Sequence, residues 1–318
     1  MTKRIVMGLV LVCAAFSFAP CKGVVDAEFR AALKRGADYR TVLKVVDDSG
    51  VSVEGASVRT TIEQLHKIYT VRGTTDTNGL FTISGRTTGN RIVIDVTKDG
   101  YYGSRREHCL IAMGAEHEVR DGRWQPYGAE EELLLRRIEN PIRSASGYAL
   151  DFRYTRKLRE WVGFDLQVND FVKPSGRGEV SDMEVFFDWD GKWLPEYSGM
   201  GVKIRFPPPS GYYTEAARNE SEFTGPYAVK VDAFPFHDAE FSECIQEDGS
   251  RKQVHFDPSR CWVVRSRCRV DESGKLVSAN YSVVLDIRFT CDRGGLAGLL
   301  VRGFSNPTPN DTNLEAKR

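Results

Sequence analysis

"GTTDTNGLFTI", from Gly73 to Ile83, sets three turn-forming residues, Asp76, Asn78 and Gly79, between two segments that carry apolar side chains. The stretch admits two readings. Carboxylate and amide oxygens at Asp76 and Asn78 suit a hard cation such as calcium. Against that, Asn tolerates left-handed backbone, Gly supplies positive φ, and an Asp side chain accepts from backbone amides two residues on, which together make a tight turn. An EF-hand loop needs a further acidic ligand late in the loop, whereas Leu80, Phe81 and Ile83 follow at once. The stretch therefore reads as the corner of a β-sheet, and Asp76 and Asn78 stay only a weak metal candidate.

Working outward from this corner, the apolar period is that of strands. "TVLKVV" (41–46), "ASVRTT" (56–61), "LHKIYTV" (65–71), "LFTI" (80–83), "RIVIDVT" (91–97), "GYYG" (100–103) and "EELLLRRI" (131–138) are short β candidates with Gly and Asp corners such as "DDSG" (47–50). Such a series describes a β-sandwich. The polar, Gly-rich span 112–128 reads as a long loop. Ahead of the strands, "DAEFRAALKR" (26–35) places Phe29, Ala32 and Leu33 on one helical side, with Gly36 to stop it.

Asn140 and Pro141 open a second region. Its strand candidates are "GYALDF" (147–152), "WVGFDL" (161–166), "MEVFFDW" (183–189), "GVKIRF" (201–206), "YAVKVDAF" (227–234), "CWVVRSRCRV" (261–270) and "YSVVLDIRF" (281–289). "FPPPSG" (206–211) and "NPTPND" (306–311) are extended or turn segments, because each proline removes a ladder donor.

From Thr41 to about Tyr101 the chain resembles the carboxypeptidase regulatory-like family. The likeness rests on "VLKVVDDSGVSVEGASV", with Asp47, Gly50, Gly55, Ala56 and Val58, then "GTTDTNGLFTI", then "IVIDVTKDGY" ending in Gly100 and Tyr101. The resemblance implies a transthyretin-type β-sandwich and an accessory role in exported multidomain proteins, with no catalytic residues to carry over. The remainder resembles uncharacterised exported bacterial proteins, through a W-x-P element (Trp124, Pro126), "NPI" (Asn140 to Ile142) and a closing "NPTPNDTNLE" (Asn306 to Glu315), and that likeness implies no activity. The expected fold class is all-β, a transthyretin-like β-sandwich followed by a second β-rich domain. The expected divisions are a signal peptide over 1–21, a short helix or linker over 22–38, the sandwich over 39–139 and the β-rich domain over 140–318.

Residues 1–21 pair a basic start, Lys3 and Arg4, with an apolar run from Ile5 to Phe18 and small residues near Ala19, the layout of an export signal. Cys21 makes the junction faintly like a lipoprotein box, although Phe18 and Pro20 count against acylation. Export permits disulfides, and Cys244, Cys261, Cys268 and Cys291 are expected to form two bridges in one of three connectivities, with Cys109 left over. Cys261 and Cys268 lie an odd number of residues apart, so on one continuous strand they face opposite sides. The formal charge of the 318-residue chain is zero, and loss of Lys3 and Arg4 with the signal leaves about two net negatives, so no field draws in polyanions and no nucleic-acid partner is expected. The basic patches "RYTRKLRE" (153–160) and "RSRCR" (265–269) read as solvated strand faces.

Chemistry-bearing motifs are sparse. "DWDGKW" offers Asp188 and Asp190 as a weak cation-loop start, but further ligands are missing and a hairpin turn is the stronger reading. Phe187, Trp189 and Trp193 form an aromatic set able to stack on sugar if exposed, with core packing as the alternative. His66, His108, His117, His237 and His255 include no HExxH pair. His237, Asp238 and Glu240 make the nearest approach to an acid/base cluster. There is no GxSxG elbow, phosphate loop or dinucleotide fingerprint, and no cofactor is implied. These features favour an exported, non-catalytic binding or structural protein of the cell envelope, with a glycan or an envelope protein as partner and the membrane reached only through a lipid on Cys21. The alternative is a secreted hydrolase acting on polysaccharide or peptide through His237, Asp238 and Glu240.

Overall fold

A computed structural model describes residues 27–65, 67–111, 118–142, 146–147, 151–189, 199–245, 251–292 and 294–316. The export run, Cys21, His66, His117, Asp190 and Trp193 lie outside the described residues. Within them the protein is all-β, with several mixed and antiparallel sheets and a single helix, α1 (Ala27–Arg35), which Gly36 ends at φ 76°.

The first sandwich uses β1 (Ala37–Val46), β2 (Ser57–Gln64), β3 (Lys67–Thr74), β4 (Leu80–Thr87), β5 (Ile92–Thr97) and β6 (Ser104–His108). One sheet sets β1 between β4 and the parallel segment Ala129–Leu134. The other runs β3-β2-β5-β6, antiparallel throughout. Side chains alternate along β1 and β2 between core and solvent, and Leu43, Val45, Ile83 and Leu133 from one sheet meet Val58, Ile62, Ile94 and Val96 from the other. Each such fully buried side chain contributes about 1.5–3 kcal/mol.

The corner at 76–79 is a tight turn that carries the chain from β3 in one sheet to β4 in the other. Asp76 Oδ1 accepts from the amides of Asn78 (2.9 Å) and Leu80 (2.8 Å), and Gly79, at φ 74°, donates to Asp76 O at 2.9 Å. The same D-x-x-G device recurs three times. Asp47 with Gly50, Asp271 with Gly274 and Asp292 with Gly295 each place the carboxylate on the amides two and four residues ahead, with the glycine at positive φ. Four repeats of one geometry, each placing one carboxylate oxygen on its own backbone, identify this as turn chemistry.

The second region holds two six-stranded sheets. One runs Asp170–Phe171, Trp161–Asp165, Met183–Asp188, Gly199–Arg205, Asp238–Ile245, Arg251–Val254; the other has Ala297–Asn306, Leu276–Cys291, Arg260–Val270 and Gly211–Ala216 in that order, with two short strands on Ala297–Asn306. Phe164, Phe171, Phe187, Val202, Trp262 and Val284 fill the space between them. The far face of the second sheet is covered as well, by Phe223, Phe234 and Leu314 and by Tyr102 from the first half of the chain.

Several expectations are corrected here. "YAVKVDAF" is not a strand: residues 227–234 run irregularly over the second sheet, with Tyr227, Val229, Ala233 and Phe234 turned into the core. The span 112–128 is more than a loop, since Val119–Arg120 and Arg123–Trp124 pair as a short hairpin and Trp124 is buried, its Nε1 donating to Thr87 O at 2.9 Å. No disulfide forms among Cys244, Cys261, Cys268 and Cys291: all four, and Cys109, are free thiols with no sulfur at bonding distance. Nor do Cys261 and Cys268 face opposite sides. A bulge between Ser266 and Arg269, with Arg267 at φ 52°, sends Ser266 and Arg267 to the same side and returns Cys268 to the core that holds Cys261. Burial pushes the Cys261 thiol up to about 11, which keeps it inert.

A Cβ at Gly79 would lie 2.5 Å from Val45 O, on a backbone that L-residues resist. Gly79→Ala is expected to lower unfolding free energy by about 2–4 kcal/mol in urea denaturation.

Candidate functional site

The sequence-derived candidates are dispersed. Phe187 and Trp189 are buried (0% and 2% exposed), so neither offers a face to a sugar; Phe187 stacks edge-on with Phe171 instead. Asp188 ends its strand in solvent, 3.7 Å from Arg159. Asp238 and Glu240 alternate along one strand and both point to water, Glu240 lying 4.0 Å from Lys203. His237 turns away to Ser210 O, 2.7 Å from Nδ1. The trio is thus spread over a surface rather than gathered in a cleft. "RSRCR" is not a solvated face either. Arg265 lies over the Phe234 ring, and Arg267 is enclosed by Asp165 (2.6 Å) and Asp182 (2.9 Å). Among the described residues no cluster of His, Cys, Asp and Glu has metal-binding geometry.

What the fold does bring together is a polar seam between the first sandwich and the second region. The edge of β6 is completed by residues 219–222: Arg105 N donates to Glu220 O (2.7 Å), Glu222 N donates to Gly103 O (2.8 Å), and Ser104 bridges Ser221. Arg106, one residue along, forks onto the Glu220 carboxylate at 2.6 and 2.7 Å, a bidentate pair that fixes the register of the added segment. Its other guanidinium nitrogen reaches Glu131 at 3.4 Å.

Glu131 is the charged centre on the first-sandwich side. Thr41 Oγ1 donates to Oε1 at 2.9 Å, and His108 Nε2 stands 3.0 Å from Oε2. Burial alone would raise this carboxyl, but His108, Thr41 and Arg106 outweigh it and hold it down to about 2.

Two further clamps close the seam. Arg136, 4% exposed, donates to Phe223 O (3.0 Å), Gly225 O and Asp48 (3.1 Å), and lies over the rings of Phe223 and Tyr227 at 4.2 and 4.4 Å. Glu315, 1% exposed, accepts from Tyr102 Oη (2.8 Å) and from the amides of Glu139 (2.9 Å) and Asn140 (2.5 Å). The "NPI" and "NPTPNDTNLE" elements therefore meet in space, Asn313 adding a 2.6 Å bond to Asn140 O.

Two cavities flank the seam. One of about 310 Å³ touches Asp95, Thr97, Arg105, Asn219 and Glu222; another of about 320 Å³ touches Arg106, Glu132, Arg218 and Ser221. The hydroxyls nearby are engaged in structure, Ser104 Oγ donating to Leu134 O and Ser221 Oγ accepting from Phe223 N. Among the described residues of the seam, the bonds of Arg106 and Arg136 hold the two parts of the chain together. Reading the sequence missed β6, because "SRREH" turns Arg106 and His108 inward onto Glu131 and shows no apolar alternation.

No protein-family model matches the sequence, and no curated protein matches it. Among solved structures, a 3-chlorocatechol 1,2-dioxygenase from Rhodococcus opacus is similar over 32% of this chain at 12% identity and a TM-score of 0.26, and the chain spans 61% of that enzyme's length. A DUF3823 family protein from Parabacteroides merdae matches over 86% of this chain and 97% of its own at 8% identity and a TM-score of 0.22. The major pilin subunit of Bacillus cereus matches over 80% and 94% at 12% identity and a TM-score of 0.24. Likenesses this remote assign no activity.

Two outcomes follow from the clamps. Arg136→Met strips the partners from two buried carbonyls and is expected to cost about 3–5 kcal/mol by chemical denaturation. The Glu131 carboxyl is depressed in the folded state, so its contribution is complete above the unfolded value near pH 4.5 and is lost as the pH falls toward 2. Glu131→Gln should cost about 2 kcal/mol at pH 7 and flatten the acid limb of a stability-versus-pH profile over that window.

Proposed function

We propose that the chain is an exported, non-catalytic binding or structural protein of the cell envelope, whose first sandwich is a transthyretin-type module of the carboxypeptidase regulatory-like kind. The observation that carries the reading is the fate of the acid/base candidates. Asp238 and Glu240 stand in water on one strand face while His237 is turned to a backbone carbonyl, so the groups a hydrolase would converge are separated. The charged groups that are buried or half-buried, Arg106, Arg136 and Glu315, are spent on joining the two halves of the chain, with Glu131 holding Arg106 from the first-sandwich side. Such an investment suits a body that presents surfaces, with glycan or envelope protein as the partner class. Export is supported by the composition of residues 1–21.

Purified protein incubated with panels of polysaccharides and peptides should release no reducing ends or amines, and should be retained on isolated envelope fractions. Turnover of any substrate that Glu240→Gln abolishes overturns the reading, as does failure to be retained on every fraction.

A further inference from the structure

The outward face of the β3-β2-β5-β6 sheet carries a row of charge that nothing in the fold requires. By register, Arg72 on β3 sits opposite Arg59 on β2, Arg59 opposite Asp95 on β5, and Asp95 opposite Arg105 on β6. All three arginines are exposed. Arg105 and Asp95 pair loosely at 3.7 Å, whereas among the described residues no carboxylate pairs with Arg59 or Arg72. Like charges directly opposite on neighbouring strands repel. Arg86, Arg91, Arg106, Arg136 and Arg137 of the first sandwich each have an acidic partner, whereas Arg40 and Arg123, like Arg59 and Arg72, have none among the described residues. In a chain whose formal charge is zero, two adjacent guanidinium groups without counterions form a local surplus.

Hydroxyls line the row on both sides. Ser57, Thr74 and Thr97 share one register line and Thr61 and Thr70 another. A surface cavity of about 510 Å³ runs across this face and touches Ser57, Arg59, Arg72, Asp95, Thr97 and Arg105. Four strands at about 4.8 Å spacing put Arg72 and Arg105 about 14 Å apart, a span that one small anion cannot bridge. The row has no aromatic ring. The exposed apolar side chain of the sheet, Ile68, lies two register lines away, opposite Glu63. An acyl chain or the apolar side chains of a peptide would find no anchor beside the arginines.

We propose that this face binds an acidic polysaccharide, with successive carboxylates of a uronate-type chain forked onto Arg59 and Arg72 and toward Arg105, and with sugar hydroxyls meeting the Ser and Thr rows. Guanidinium geometry matches carboxylate bidentately, and the flanking hydroxyls can both donate and accept. The inference goes beyond the proposed envelope role and requires only the folded first sandwich.

The test is titration of the full chain with polygalacturonate, against dextran as a neutral polymer, monomeric galacturonate, poly-glutamate and phosphatidylglycerol vesicles. Saturable binding of polygalacturonate that weakens with salt, with dextran inert and the monomer at least tenfold weaker, is the expected result. Arg59→Gln/Arg72→Gln should weaken that binding at least tenfold while leaving the thermal midpoint unchanged or raised, and Arg288→Gln, which removes a paired arginine on another sheet, should leave it within twofold. Absence of polymer binding, binding that survives the double substitution in folded protein, or equal binding of poly-glutamate or vesicles overturns the proposal. Retention on envelope fractions without polygalacturonate binding would overturn this inference alone, and cleavage of the bound polymer would overturn the non-catalytic reading alone.

Discussion

The middle of the strand Leu276–Cys291, from Ala279 to Leu285, and the strand Ala297–Asn306 are buried on both faces, and that constraint shapes the rest of the molecule. A sheet of this kind cannot leave either side in water, because each exposed Val, Leu or Phe forfeits about 1.5–3 kcal/mol. One side is met by the six-stranded sheet around Phe187 and Val202. Among the described residues the other has no partner sheet. It is closed by the irregular 217–236 segment, by Leu314 and Ala316, and by Tyr102 from the first sandwich. The two halves are thus tied by a shared core as well as by their surface.

That shared core explains why so much charge is buried beside it. Covering a sheet with irregular chain leaves backbone carbonyls and amides without ladder partners, and each must be satisfied. Arg136 serves the carbonyls of Phe223 and Gly225, and Glu315 serves the amides of Glu139 and Asn140. Both charges are themselves matched, Arg136 by Asp48 and two rings, Glu315 by Tyr102. Polar groups that would look like an active site in a list of buried ionisable residues are here the consequence of an apolar face capped by loops.

The fold class was legible where side chains alternate against a single core. β1, β2, β4 and β5 follow from "TVLKVV", "ASVRTT", "LFTI" and "RIVIDVT", and the turn at Asp76 follows from its residue types alone. Legibility failed where alternation is broken or polar. The bulge at Arg267 reversed the reading of Cys268, and "YAVKVDAF" owes its apolar spacing to a core it covers as coil. β6 escaped notice because its inward residues are Arg106 and His108. The aromatic candidates Phe187 and Trp189 were ambiguous for a different reason: a ring on a strand looks the same in sequence whether it faces a core or a ligand. The meeting of "NPI" with the closing "NPTPNDTNLE" depends on contacts between residues more than 170 positions apart, which no local pattern encodes.

The addition of residues 219–222 to β6 has one more effect. An open sheet ordinarily presents two unsatisfied ladders, and a chain with both can recruit neighbours end over end. Here one ladder is already occupied by the protein's own backbone, locked by the Arg106 fork, while β3 has no partner on its outer side among the described residues. Of the two margins of this sheet, only that of β3 is left without any backbone partner among the described residues, so recruitment of a further strand is confined to one side.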